Sequence, residues 1–183
     1  MWVTALAIDP VPATIMTVSL AALWLAAGLH KLADPKAFER SLQGYDVAPQ
    51  AMLRSLSRLL PVLELALAAG LTATVTRPTA GMLGAFLLMG YSAAIALNLH
   101  RGRRDLDCGC VRFGAPSQIS PALVWRNAIA AVASLSVGLL PRAERVSSWI
   151  DTWTIIAGVA VIALLYLAME GLRAAAQRVP RRG

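Results

Sequence analysis

Residues 78–99 read PTAGMLGAFLLMGYSAAIALNL, 22 residues without a charge. A helix needs about 20 mostly apolar residues to cross the ~30 Å hydrocarbon core of a bilayer. An extended strand of that length would leave its backbone polar groups unpaired in lipid, so the stretch is read as a transmembrane helix. Its surroundings repeat the pattern. Residues 10–29 are uncharged, 59–76 are apolar except for Glu64, and 152–169 are again uncharged. Residues 122–140 form the weakest of the set, apolar in the second half but carrying Arg126 and Asn127 near the start. The fold class is therefore all-α, a polytopic membrane helix bundle of four to five transmembrane helices, five preferred. Residues 1–183 make a single integral-membrane domain.

Composition agrees. The chain is 57% hydrophobic and 15% charged, against about 45–50% and about 25% for soluble domains, which excludes a water-soluble globular enzyme. The first nine residues hold no Lys or Arg. They therefore lack the basic start of a cleavable signal peptide, and the first apolar run reads as a retained span.

The net charge of +7 is a statement about topology. With five spans, one side holds Arg77, Arg142 and Arg145, and the other holds thirteen Lys and Arg, with Arg126 left out as intramembrane. The positive-inside rule then puts the N-terminus outside and the C-terminus in the cytoplasm. The charges are scattered over membrane-edge loops without an aromatic stacking platform, which argues against nucleic acid as a partner. The lipid bilayer is the partner that composition demands.

Two loops carry detail. Asp34-Pro35 reads as an N-cap followed by N1, and Phe38, Leu42 and Tyr45 then recur on one helical face opposite Lys36, Glu39, Arg40 and Gln43. A second amphipathic run sets Leu53, Leu56 and Leu60 against Arg54, Ser57 and Arg58. Both read as interfacial helices, whether they serve a substrate or merely pack the rim. The second loop, 100–121, runs from His100 through Cys108-Gly109-Cys110 and Pro116 to Ser120-Pro121, which opens the fourth span.

Cys108 and Cys110 are the only cysteines. One intervening glycine permits the tight backbone that brings two sulfurs together, and a strained bond of that kind is labile and oxidising. Arg103, Arg104 and Arg112 favour thiolate, while Asp105 and Asp107 oppose it. Thiol–disulfide chemistry is the leading reading, with the pair as a redox dithiol. Two thiolates also suit Cu(I) or Zn with His100, and His30 falls near the same membrane edge. A third alternative is a non-catalytic scaffold subunit of a larger membrane complex.

Charge inside the membrane is rare and is usually functional or paired. Lys31, Glu64, Asn98 and Arg126 all fall in the cytoplasmic third on the five-span topology, beneath the dithiol loop. Glu64 is expected to pair with Arg126 or Lys31, as a structural ion pair, a proton relay or both. Gly81, Gly84, Ala85 and Gly90 permit close helix packing. Trp2, Trp24, Trp125, Trp149 and Trp153 fall mostly near span ends, as an aromatic belt would.

These residues resemble a known family. Gly28-Leu29-His30-Lys31-Leu32 is similar to its G-x-x-K-L signature, and Pro61-Val62-Leu63-Glu64 to its P-x-x-E. Asn98 to Arg103, Asp107-Cys108-Gly109-Cys110 with Phe113-Gly114, and Arg126-Asn127 resemble its central block. The family is that of the methylamine utilisation protein MauE, within the wider MauE/DoxX redox-associated membrane proteins, and the resemblance covers roughly residues 12–140. Here Val111 and Arg112 are inserted between Cys110 and Phe113, a departure at the turn after the second cysteine.

The resemblance implies a component of the bacterial cytoplasmic membrane that supports maturation of an exported, disulfide-rich protein. It implies a thioredoxin-like or other thiol partner. Maturation outside the cell sits uneasily with a dithiol on the cytoplasmic side. Either a second carrier, such as a quinone or partner thiols, takes part as electron partner, or the span count is off by one.

Overall fold

The computed structural model describes residues 7–46, 49–103, 106 and 118–178. Among the described residues six helices follow one another: α1 (Pro10–Ala33), α2 (Pro35–Tyr45), α3 (Gln50–Thr72), α4 (Arg77–His100), α5 (Pro121–Leu139) and α6 (Trp149–Arg178). Five of them, all but α2, are long and apolar enough to cross a membrane. Large apolar side chains such as Phe86, Ile129, Val132 and Leu164 lie exposed on their outer surfaces, where lipid tails are the natural solvent.

Local chemistry sets the helix starts. Asp9 accepts from the Val11 N–H at 2.8 Å ahead of Pro10. Asp34 closes α1 and opens α2, accepting from the Ala37 N–H at 3.0 Å. Proline at the first helical position costs nothing there, since its missing N–H would have been unpaired anyway. Helix α5 begins at Pro121, but the Ser120 hydroxyl makes no capping bond.

The second amphipathic run does not stand alone. Residues 53–60 continue through Pro61 into the span as one helix, α3. Proline removes one helical hydrogen bond. Yet Leu53, Ser57, Pro61, Glu64, Ala68 and Leu71 recur every three or four residues as a single buried face, and that uninterrupted burial holds the helix together. At its far end α3 stops at Thr72, and residues 73–76 form the turn to α4.

Helices α1, α3, α4 and α5 make the core. Leu20, Trp24, Leu67, Leu71, Leu88 and Ala131 meet in its main cluster. Trp24 is 1% exposed, so it belongs to the bundle centre, whereas Trp125, Trp149 and Trp153 are exposed as belt residues would be. A Cβ on Gly81 would lie 2.8 Å from Ser134 O and from Gly138 N; glycine is what lets α4 and α5 approach this closely. Gly90 faces open space, so the close contact uses only part of the small-residue stripe. Helix α6 packs on α1, with Gly158 seated against Ile15.

The two ends of the bundle are distinct. At one, the Ile8 N–H bonds Pro141 O and the Ala143 N–H bonds Ile8 O, both at 2.9 Å. Arg145 joins Asp9 and Asp151 there. Arg142 reaches Thr17 Oγ1 at 2.8 Å, and burial together with the nearby charge of Arg77 pulls its pKa below the ordinary arginine value. The opposite end collects α2, the C-terminus of α4 and the start of α5.

Candidate functional site

Two turns before its C-terminal end α1 turns inward along Trp24, Gly28 and Lys31, one stripe at four- and three-residue spacing. Gly28 lets Pro61 and Leu65 of α3 come close: a Cβ there would lie 3.1 Å from Pro61 O. That approach carries Lys31 to Glu64. The two form an ion pair in which Lys31 is 4% and Glu64 0% exposed. Tyr91 of α4 donates to the same carboxylate oxygen, Glu64 Oε1, at 2.7 Å. The ammonium also lies 5.0 Å from the ring centroids of Phe38 and of Tyr91, so its remaining surface is covered by aromatic faces. In hydrocarbon a lone charge would be expensive; here a cation, an anion, a phenol and two rings close on one another.

Arg126 goes elsewhere. Its guanidinium bonds Glu170 of α6 at 2.9 Å and Tyr166 at 3.3 Å, and reaches the neighbouring Asn127 Oδ1. Of the two partners expected for Glu64, the structure brings Lys31 and leaves Arg126 in a separate pair that ties α5 to α6. Hydropathy and charge patterning alone do not single out Tyr91, Tyr166 or Glu170. A tyrosine in the middle of a charge-free span is a signal, because its hydroxyl must find a partner in lipid. So is a lone carboxylate just past the last apolar stretch.

Between this ion pair and the loop stands Asn98, 0% exposed. Its amide nitrogen donates to Tyr45 O and to Ala94 O, each at 3.0 Å, fastening α2 to α4. Tyr45, Ile95, Ile119 and Leu123 form a second apolar cluster there, with Leu106 packed against it. The Ile119 N–H donates to Leu106 O at 3.0 Å. This bond pins together the two flanks of the segment that carries the cysteines. Cys108 and Cys110 themselves lie outside the described residues, as do Arg104, Asp105, Asp107 and Arg112. His100 is exposed and His30 half-buried, and among the described residues no three His, Cys, Asp or Glu side chains gather as a metal site would require.

Comparison with known proteins adds a lineage. A family model described as methylamine utilisation protein MauE matches residues 9–141. A protein of that name from Paracoccus denitrificans is 35% identical over 172 residues, 92% of this chain and 92% of the relative. One from Paracoccus versutus is 36% identical over 161 residues, 88% of this chain and 87% of the relative. One from Methylorubrum extorquens is 34% identical over 140 residues, 76% and 75% of the two chains. No solved structure matches.

Proposed function

We propose that this chain, which belongs to the methylamine utilisation protein MauE family, serves methylamine utilisation as a membrane-embedded thiol–disulfide component, with Cys108 and Cys110 as its working pair. The observation that carries the proposal is the pinned base of the loop. A single residue, Asp107, separates Cys108 from Leu106, whose carbonyl accepts from the Ile119 N–H, so the chain itself ties the pair to that anchor. A dithiol that must meet partners needs such a tether on a rigid support. Here the support is the Asn98–Tyr45 fastening and, some two turns deeper, the Lys31–Glu64–Tyr91 cluster.

The chemistry is exchange. One cysteine thiolate attacks a sulfur of the partner disulfide, a mixed disulfide forms, and the partner's first thiolate leaves. The second cysteine then attacks the sulfur of its neighbour and expels the partner's other thiolate. Two electrons pass to the partner, whose disulfide becomes a dithiol, and the chain's own pair is left as a disulfide. The reverse sequence oxidises a client. A thioredoxin-like protein is the partner this chemistry fits; an exported disulfide-containing client is reached from the cytoplasmic face through a second carrier, a quinone or partner thiols. Lys31, Glu64 and Arg126 act as positioning residues: the first two brace α1, α3 and α4 beneath the loop, and Arg126 braces α5 against α6.

Orientation follows from charge. The end that carries the loop holds thirteen Lys and Arg and the other end three, so the loop faces the cytoplasm of a bacterial inner membrane and the N-terminus lies outside. The pairing of Ile8 with residues 141 and 143 at one end, and of Asn98 with Tyr45 at the other, supports that grouping of the loops.

Substitution and labelling test the proposal together. Cys108→Ser or Cys110→Ser should trap a mixed disulfide with the partner, and the double variant should abolish client maturation; full maturation with both serines would refute the role. A membrane-impermeant maleimide should label the thiols only after permeabilisation. Labelling in intact cells would reverse the orientation. Stoichiometric Cu(I) or Zn in the purified chain, lost in the same variants, would replace exchange with metal handling.

A further inference from the structure

The level of the ion pair extends across the whole bundle. Trp24 of α1, Gly84 of α4 and Ser134 of α5 meet at one height, since a Cβ on Gly84 would lie 2.9 Å from Ser134 Oγ and 3.2 Å from Trp24 Nε1. Seven residues further toward the loop end, about 10.5 Å along each helix, stand Lys31, Tyr91 and Asn127. Helices α1 and α4 run the same way and α5 the opposite way, so these three again share a height. The meeting of Ile95 with Leu123 one turn beyond confirms the register of α4 on α5. Glu64 enters this layer from α3, and Ser92 follows Tyr91.

Three polar atoms of the layer have no hydrogen-bond partner among the described residues: Glu64 Oε2, Ser92 Oγ and Asn127 Nδ2. Their residues are 0%, 7% and 4% exposed. Polar atoms buried in this way are costly unless something pairs them, and ordered water is the usual remedy where several converge. We propose that the layer is a built hydration site, in which bound water bridges Glu64 Oε2 to Asn127 Nδ2 and Ser92 Oγ beside the Lys31–Glu64 pair.

The donor and acceptor pattern selects that ligand. Glu64 Oε2 requires a donor, Asn127 Nδ2 requires an acceptor, and Ser92 Oγ serves as either. Lys31 and Glu64 cancel, so an ion of either sign would meet a like charge as well as an opposite one. An apolar molecule would satisfy none of the three atoms. Water offers both functions at the smallest size. It also gives the carboxylate a proton-exchange partner inside the membrane, reached from α5 as well as from Lys31 and Tyr91. This property stands or falls independently of the dithiol.

A crystal structure of the full chain grown from a lipidic phase tests it directly. A water within hydrogen-bond distance of Glu64 Oε2 and of Asn127 Nδ2 or Ser92 Oγ is expected. A dry layer, or a side chain of residues 104–117 bonded to Glu64 Oε2, would overturn the proposal. Infrared spectra in lipid nanodiscs give a second reading: the wild-type chain should show a bound-water O–H band that shifts with ¹⁸O-labelled water. Asn127→Leu should abolish this band and the milder Ser92→Ala should shift or weaken it, while Ser136→Ala, whose hydroxyl donates to Val132 O on its own helix, should leave it unchanged. A band indifferent to both layer substitutions would also refute the assignment.

Discussion

Consider removing Lys31, Glu64 or both. In Lys31→Met the carboxylate of Glu64, 0% exposed, keeps only Tyr91 as a direct donor, and the cation's contacts with Phe38 and Tyr91 vanish as well. Removing one partner of a buried pair costs about 3–5 kcal/mol, and this variant belongs at the upper end. In Glu64→Gln the ammonium retains both rings, each worth about 0.5–2 kcal/mol, and an amide oxygen can still accept from it. Its cost is therefore nearer 3 kcal/mol. The double variant Lys31→Met/Glu64→Gln leaves no orphaned charge and keeps Tyr91 as a donor to the amide oxygen, so it should fall within about 2 kcal/mol of wild type. With singles near about 5 and about 3 kcal/mol, the coupling within this cycle is then about 6 kcal/mol. Equilibrium unfolding in mixed micelles, titrated with SDS at neutral pH, measures all three. Single variants costing under about 1 kcal/mol, or a double variant as unstable as the two singles summed, would refute the view that a desolvated charge pair locks α1 to α3.

Two further outcomes follow from packing and charge. Gly81→Ala drives a methyl against backbone atoms of Ser134 and Gly138 at 2.8 Å, and should destabilise by about 1–3 kcal/mol through overpacking. Gly90→Ala meets nothing within 4 Å and should gain up to about 1 kcal/mol from helix propensity; the same SDS titration ranks them, and equal effects would disprove the α4–α5 register. At the opposite end, hydrogen bonds from Arg145 and then from the Val11 N–H hold Asp9 below the ordinary carboxylate value of 3.8. A depressed acid contributes stability in full above its unfolded pKa and loses it as pH falls through the folded one. The Ile8 and Ala143 amide signals should thus stay constant from neutral pH down to about 4 and shift only below it. Arg145→Ala should move that transition upward, and a transition near pH 6 in the wild-type chain would exclude Asp9 as its cause.

Much of the site was legible in outline. Lys31 and Glu64 stood out because each interrupts or ends an apolar stretch, and Asn98 because it closes one. Their partners were not legible. Glu64 had two cations on the same side and at similar depth, and only the rotation of each helix decides between them. The close approach at Gly28 turns α3 so that Glu64 faces Lys31, while Arg126 projects away toward Glu170 on α6. Tyr91 escaped notice because a hydroxyl does not interrupt a hydropathy pattern, although it must be satisfied in the bilayer. The second amphipathic run misled because alternation of charge and leucine around 53–60 looks the same at the end of a span as in a separate interfacial helix.

The sequence by itself determined how many helices are long and apolar enough to span, where those opened by a proline begin, and which end gathers positive charge. Bilayer thickness imposes a length that any reader can count, and caps such as Asp9 and Asp34 act within three residues of the helix they start. What only the tertiary structure decided is lateral: which helices touch, which face each turns inward, and therefore that Lys31, Glu64, Tyr91 and Asn127 share one buried layer while Arg126 leaves it. Those choices depend on contacts between residues 27 to 60 positions apart in the chain, made possible by small residues at the crossings, and no local pattern encodes them.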